Sequence, residues 1–162
     1  MPLSLFINDA LPLRIHRIHG AITGDDFLEL ARYYGENRSV THTDMIHLVD
    51  AAADFSAIGA SDLPVLSEIF AKLQRGLDSA LIRRSLWVCP NVRAWALLEE
   101  WLKDRHSHDG RSTDVYLVAS LEEGDCLFDE TELEAVRLWR GFRELARFPA
   151  PRLPQREDLQ SD

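Results

Sequence analysis

Cysteine is scarce in this sequence, which has only two among its 162 residues, Cys89 and Cys126. Two cysteines in unrelated contexts cannot build a disulfide framework, and they lack the CxxC spacing that redox and zinc sites often share. We therefore expect a protein of a reducing compartment. A chain of this length is the size of one ordinary domain, and its core is large enough to be stable without disulfides.

Long apolar runs are also missing. The N-terminus has no basic segment followed by an apolar run, so we expect no signal peptide. The longest uninterrupted apolar runs fall far short of the ~20 residues that a membrane-spanning helix needs. Together these absences predict a cytoplasmic protein without a membrane span.

An excess of basic charge is absent as well. The 27 acidic and 18 basic side chains give a net charge of −9. A nucleic-acid backbone is repelled by such a negative field, so we expect no nucleic-acid partner. The ordinary effect of this surplus of charge is to keep a protein soluble.

The common catalytic and metal-binding motifs are missing too, since no Ser-His-Asp order, HExxH motif, Gly-rich phosphate loop or carboxylate pair stands out. His16 and His19 are three residues apart on a predicted strand, so they point to opposite faces and cannot share a metal ion. His106, His108 and Asp109 lie in a polar loop that offers no fourth ligand. The sequence therefore predicts a non-catalytic protein with no metal and no cofactor.

The strongest pattern that is present covers residues 45–73. It consists of an apolar strand, a loop of small residues and an amphipathic helix opened by Ser61. Ile46, Leu48 and Val49 make the strand apolar on both faces, which is typical of a central strand covered by helices. The strand ends at Asp50.

The same succession of strand and helix continues along the chain. A hairpin in residues 3–18 comes first, a helix follows Thr23, and two further strand–helix pairs follow residue 73. The predicted fold is α/β, with a mixed sheet of about five strands (a β-hairpin, then βαβαβα) and about four helices. Strands joined by helices run parallel, and the hairpin adds one antiparallel pair.

The last helix is expected to begin at a capping box on Asp129 and to run through Trp139. Residues 1–148 then form a single domain. Residues 149–162 are polar and rich in proline, so we expect a disordered tail there.

Several segments of the chain carry a family resemblance. They are the turn IHGAITGDD at residues 18–26, the strand end HLVDAA with Asp50, the capped helix at Ser61 and the closing segment LFDETELEAVRLW. In this order and spacing they resemble the STAS-like (SpoIIAA-like) family, the bacterial anti-sigma factor antagonists and their relatives, over roughly residues 13–139. The resemblance implies a regulatory domain that acts by binding a protein partner.

In the phosphoswitch members of that family, a Ser or Thr after the central strand marks the start of the second helix. A partner kinase phosphorylates this residue, and the unmodified form binds the kinase. The resemblance therefore implies Ser56 or Ser61 as the modified residue. This chain reads FSAIGAS at residues 55–61, where those members have an Asp-Ser-Ser-Gly-type run.

The residues themselves also allow simpler roles at these positions. A serine such as Ser61 at a helix N-cap satisfies a free backbone N–H and adds about 1 kcal/mol of stability. A phosphate there would also suit the helix dipole. Asp50 lies where α/β folds place functional groups, and its simpler role is to accept backbone N–H groups in the loop. The candidate phosphorylation or partner-binding residues are thus Ser61, Ser56 and Asp50.

Three functions stay open at this point. The first is a non-catalytic regulatory or protein-interaction module that presents the loop 51–61 and the following helix to a partner, which in this family is a kinase-type regulator. The second is binding of a small apolar ligand or lipid between sheet and helix, with Leu63, Leu66 and Phe70 on one wall. The third is a thiol enzyme that uses Cys89. Homodimer formation through exposed apolar helix surface is compatible with each of them.

The thiol hypothesis depends on where Cys89 lies. It ends a predicted strand just before a helix N-terminus, an arrangement that lowers the pKa of a thiol. The competing interpretation is a buried, inert cysteine that packs as a small apolar residue. Iodoacetamide labelling against pH separates the two, because a thiol that titrates near its unperturbed pKa of ~8.5, or does not react, leaves no basis for the enzyme.

Overall fold

The computed structural model describes residues 2–37, 44–75, 84–103 and 114–148, with side chains throughout except at residues 73–75. Six strands and four α-helices lie in these ranges, together with a 3-10 helix at Leu121–Cys126. The strands are Leu3–Asn8 (β1), Leu13–Ile18 (β2), Asp44–Val49 (β3), Arg84–Val88 (β4), Asp114–Val118 (β5) and Phe142–Phe148 (β6). The helices are Gly24–Glu36 (α1), Asp62–Arg75 (α2), Val92–Leu102 (α3) and Glu130–Arg137 (α4).

All six strands belong to one mixed sheet, in the order β5-β4-β3-β2-β1-β6. The four strands from β2 to β5 run parallel to one another, whereas β1 is antiparallel to both of its neighbours. The predicted α/β fold, with its leading hairpin and its helix-connected parallel strands, is therefore confirmed. β3 lies between β2 and β4, as expected of a central strand.

Helices cover both faces of the sheet. Buried residues of α1, α2 and α3 join the strands in the larger core on one face. Leu133 and Val136 of α4 belong to a smaller core on the other face. Because both faces are covered, β3 is apolar on both sides, with Met45 and Ile46 almost completely buried.

The helix starts follow local sequence signals. Asn91 caps α3, since its side chain accepts hydrogen bonds from the amides of Arg93 and Ala94 at 3.0 and 3.3 Å. Asp129 and Glu132 form the expected capping box at the start of α4. Both signals were readable in the sequence because a cap acts within one turn of the helix.

The C-terminal part of the described chain differs from the sequence prediction. The predicted run of the last helix through Trp139 is wrong, because α4 ends at Arg137 and Trp139 takes a left-handed backbone conformation with φ of 52°. Gly141 follows with φ of 77°, which glycine adopts without strain, and the chain then enters β6. β6 pairs with β1 at the sheet edge and raises the strand count from about five to six.

Two other predictions concern residues outside the described ranges. They are the disordered tail at 149–162 and the loop that contains His106, His108 and Asp109. Among the residues that the structure does describe, no helix combines the length and the apolar character that a bilayer span requires.

Candidate functional site

The loop between β3 and α2 lies at the edge of the sheet where the parallel strands end. Asp50 begins it, and its half-exposed carboxylate accepts a hydrogen bond from Nη2 of Arg17 at 3.2 Å. Both side chains of this ion pair are accessible to water, so the pair adds little to stability. Ser56 and Ser61 are exposed on the same loop. The structure thus brings all three predicted site residues to one edge of the sheet.

Hydrogen bonds to its backbone hold this loop in place. The amide of Ile22 donates to the carbonyl of Asp54 at 2.8 Å, and the amide of Asp54 donates to the carbonyl of Gly20 at 2.8 Å. Nδ2 of Asn91 donates to the carbonyl of Ala53 at 2.7 Å, which ties the loop to the start of α3. The loop is therefore a fixed part of the domain surface.

The carboxylates of the loop also bind its own amides. Asp54 accepts from the amide of Ser56 at 2.9 Å, and this hydrogen bond lowers the pKa of the Asp54 carboxyl. Asp62, the first residue of α2, accepts from the amide of Gly59 at 2.7 Å. Ser61 directly precedes Asp62, which is the cap position expected from the sequence.

Exposed apolar side chains border the loop. Val65 in the first turns of α2 is 58% exposed, and Val92 at the start of α3 is 87% exposed. Small residues dominate the exposed part of the loop itself: Ala51, Ala52, Ala57, Gly59, Ala60 and Ser61. We call the exposed residues of the loop 51–61, together with Val65 and Val92, the rim surface.

Cys89 follows β4, close to the rim surface, but its side chain is buried. Its thiol lies 3.4 Å from the carbonyl oxygen of Asn91, and burial raises the pKa of the Cys89 thiol. The nucleophile in cysteine chemistry is the thiolate, which a raised pKa disfavours. The geometry of Cys89 is therefore that of a buried structural cysteine.

A second group of polar side chains lies inside the larger core, and no motif in the sequence indicates this group. The parallel register places His16 of β2 opposite His47 of β3, and His47 opposite Trp87 of β4. The Nδ1 atoms of the two histidines are 3.2 Å apart. The ring of His47 stacks on Trp87 with 3.8 Å between ring centroids.

Two more residues complete this group. The hydroxyl of Tyr34 on α1 lies 2.6 Å from Nε2 of His16. Arg14 precedes His16 by two residues and points to the same face of the sheet, where it is only 2% exposed. We call Arg14, His16, Tyr34 and His47 the polar cluster.

Arg14 carries a positive charge in the polar cluster. Burial is the main cause that lowers the pKa of His16 to about 3, and the charge of the neighbouring Arg14 is the second cause. This imidazole is therefore neutral at pH 7. Burial also raises the pKa of Tyr34, which keeps its phenol neutral. The pKa of Arg14 is lowered by burial, and contact with the Tyr34 phenol opposes that shift. An arginine nevertheless stays protonated in proteins.

Arg14 lacks a counter-charge within the described part of the chain. No carboxylate is among the groups that favour its charged form there, and its Nε and Nη1 atoms have no hydrogen-bond partner. The described residues also contain no group of three or more His, Cys, Asp or Glu side chains that could hold a metal ion.

The signal for the polar cluster in the sequence is weak. His16 and His47 each follow an isoleucine in an apolar strand, and this pattern does not indicate that the two rings meet. Their proximity depends on the register of two strands distant in the sequence.

The chain matches no protein-family model, no curated protein and no solved structure.

Proposed function

We propose that this protein is a non-catalytic regulatory module of the STAS-like type, and that it binds a protein partner through the rim surface and α2. One observation carries the proposal: exposed apolar Val65 follows the loop of small residues in α2, and exposed apolar Val92 follows Asn91, which is hydrogen-bonded to that loop. Contiguous exposed apolar surface marks interaction sites, and we expect the two valines and the small residues of the loop to form such a patch.

The shape of the rim surface favours a protein as the partner. The side chains of alanine and glycine are short, so a second backbone or a flat surface can approach the loop closely. Val65 and Val92 then supply apolar area that is removed from water in the complex.

The fixed backbone of the loop also favours binding. The hydrogen bonds from Ile22 and Asn91 to this loop exist without a partner, so little conformational entropy is lost when the complex forms. The proposal therefore needs no rearrangement of the domain.

Ser61 offers a way to regulate this contact. A phosphate on Ser61 would add about two negative charges beside the exposed small side chains of the rim surface and the exposed carboxylate of Asp62. We expect such a charge to weaken an apolar contact, and a kinase-type regulator is the partner that fits this role. Ser56, exposed on the same loop, is the second candidate for modification.

Affinity capture with matched baits tests the proposed surface. The baits are the wild-type chain, Val65→Asp on the rim surface, and Leu138→Asp as a control, since Leu138 is 54% exposed but lies after α4 on the other face of the sheet. A protein recovered equally by wild type and Leu138→Asp, but at least about tenfold less by Val65→Asp, supports the proposal. Identical recovery by all three baits refutes it.

The phosphoswitch is tested separately with Ser61→Asp and Ser61→Ala. We expect Ser61→Asp to reduce recovery of the same partner and Ser61→Ala to retain it. Equal recovery by both variants rejects a switch at Ser61. Sedimentation of the purified chain completes the test, because a dimer that Val65→Asp dissociates would identify a second copy of this chain as the partner.

A further inference from the structure

We propose that the polar cluster is an internal binding site for an organic anion, a ligand with one carboxylate or phosphate group on an apolar body. Arg14 supplies the charge that binds the anionic group. This inference concerns the interior of the domain and does not depend on the rim surface.

The state of Arg14 is the first step of the argument. Arg14 as a residue is 2% exposed, and the buried atoms Nε and Nη1 of its guanidinium have no hydrogen-bond partner in the described part of the chain. An arginine cannot shed its proton at any ordinary pH. A buried charge without a partner is among the least favourable arrangements in a protein interior, so natural proteins pair such groups. The missing partner is an acceptor that carries negative charge.

The chemistry of the guanidinium specifies the kind of acceptor. Nε carries one N–H group and Nη1 carries two, so the free donors of Arg14 point in more than one direction in the plane of the group. Carboxylate and phosphate present several acceptor oxygens in one compact group and form strong charge-assisted hydrogen bonds with arginine. A neutral ligand would leave the charge uncompensated.

The neighbouring polar groups are compatible with a bound anion. His16 and Tyr34 are both neutral at pH 7, so neither repels a negative ligand. The Tyr34 hydroxyl contacts the guanidinium and lies 2.6 Å from Nε2 of His16, and Nδ1 of His16 lies 3.2 Å from Nδ1 of His47, so the polar groups form one continuous chain. Arg14 is therefore the positively charged end of this chain.

The surroundings of Arg14 specify the rest of the ligand. The residue opposite Arg14 on β3 is Met45, and the residue opposite it on β1 is Ile7. Half-buried Tyr33 of α1 packs against the same core and lies near enough to Arg14 to influence its charge. A ligand whose anionic group reaches Arg14 is thus in contact with apolar side chains along its remaining length, which suits an aliphatic or aromatic acid.

Ligand-dependent stability of the full chain tests the site. The probes are inorganic phosphate, acetate and decanoate, each titrated against wild type, Arg14→Met and Arg17→Met in a thermal unfolding assay. Arg17 lies three residues further along β2, and its guanidinium is exposed, which makes it the matched control. We expect decanoate to raise the Tm of wild type and Arg17→Met saturably, by roughly 5–10 °C at about a hundredfold excess over Kd. Arg14→Met should show no shift.

The arms of the experiment separate the sources of the anionic group. A saturable shift with decanoate but not acetate assigns the site to acids with an apolar body and supports the proposal. A saturable shift with phosphate alone overturns the apolar part of the ligand and leaves only an anion site at Arg14. If no probe stabilises wild type and mass spectrometry of the freshly purified native chain shows no added mass, the proposal is refuted.

A second variant covers the case in which Arg14→Met does not fold. Arg14→Lys keeps the positive charge but has fewer donors and a different geometry, so we expect the Kd for the stabilising probe to rise at least about tenfold. Equal affinity in wild type and Arg14→Lys would overturn the role of the guanidinium.

Discussion

The stability of this domain should fall as the pH drops below about 6.5, because His16 has to remain neutral inside the fold. Its imidazole is completely buried next to Arg14, and its pKa in the folded chain is lowered from 6.5 to about 3. In the unfolded chain the same imidazole meets water and titrates near 6.5. Between these two values the unfolded state binds one proton more than the folded state.

The sign and size of the effect follow from this difference. Above pH 6.5 His16 is neutral in both states and contributes no pH dependence. As the pH falls from 6.5 towards 3, protonation stabilises only the unfolded chain, and the free energy of unfolding drops by about 1.4 kcal/mol per pH unit. At pH 4.5, two units below the unfolded pKa, the loss from His16 alone is about 2.7 kcal/mol.

Denaturant unfolding of wild type and His16→Gln at pH 7.5 and pH 4.5 measures this quantity. Glutamine cannot titrate, and its amide can replace hydrogen bonds to Tyr34 and His47. We expect the difference in unfolding free energy between the two pH values to be about 2–3 kcal/mol smaller in His16→Gln than in wild type. His19→Gln controls for the loss of a histidine outside the polar cluster.

Two results would contradict the reasoning. One is an unchanged pH dependence in His16→Gln, which would mean that His16 is not held neutral in the folded chain. The other is an equal change in His16→Gln and His19→Gln, which would show that the effect does not depend on the buried position.

Three further predictions concern other parts of the structure. Arg84→Met should lower the unfolding free energy by about 2–3 kcal/mol. The substitution leaves the buried carboxylate of Glu132 without the guanidinium that lies 2.7 Å away. Because Arg84 is partly exposed, the loss falls below that of a fully buried pair. Asn91→Ala should cost about 1–2 kcal/mol and speed amide hydrogen exchange in the loop 51–61, since it removes the cap of α3 and the bond to Ala53. Iodoacetamide at pH 7 should modify exposed Cys126 well before buried Cys89.

Each of these predictions has a direct control. Arg84→Met should cost less in a Glu132→Gln background, and equal costs in both backgrounds would contradict the ion pair. Asn91→Asp keeps the cap acceptor but loses the Nδ2 donor, so it should retain α3 stability and still loosen the loop. Reaction of Cys89 at the rate of Cys126 in the folded chain would restore the thiol hypothesis.

The order of the elements was readable from local patterns. Hydrophobic periodicity marked the strands and helices, and caps such as Asn91 and Asp129 act on amides within one turn, so neighbouring residues contain the whole signal. The sequence also placed Asp50, Ser56 and Ser61 on one loop, because all three lie between β3 and α2. That loop lies at the edge of the sheet where the parallel strands end. Their roles stay a prediction.

β6 was missed for a physical reason. Its sequence, FRELARF, is rich in charge because it is a half-exposed strand at the sheet edge, so it lacks the apolar run that identifies an inner strand. The turn before it uses a positive φ at Trp139, which no sequence rule assigns to a tryptophan. Pairing with β1, more than a hundred residues away, stabilises the strand.

The sequence by itself thus determined the fold class, the central place of β3 and the helix starts, since these depend on interactions between residues near in the chain. Only the tertiary structure decided the polar cluster and the state of Cys89. His16 and His47 are 31 residues apart and meet through strand register. The pKa of the Cys89 thiol is raised because distant segments bury the thiol, although the nearby helix start alone would lower that pKa. Burial and register come from contacts between remote parts of the chain, and local sequence does not encode them.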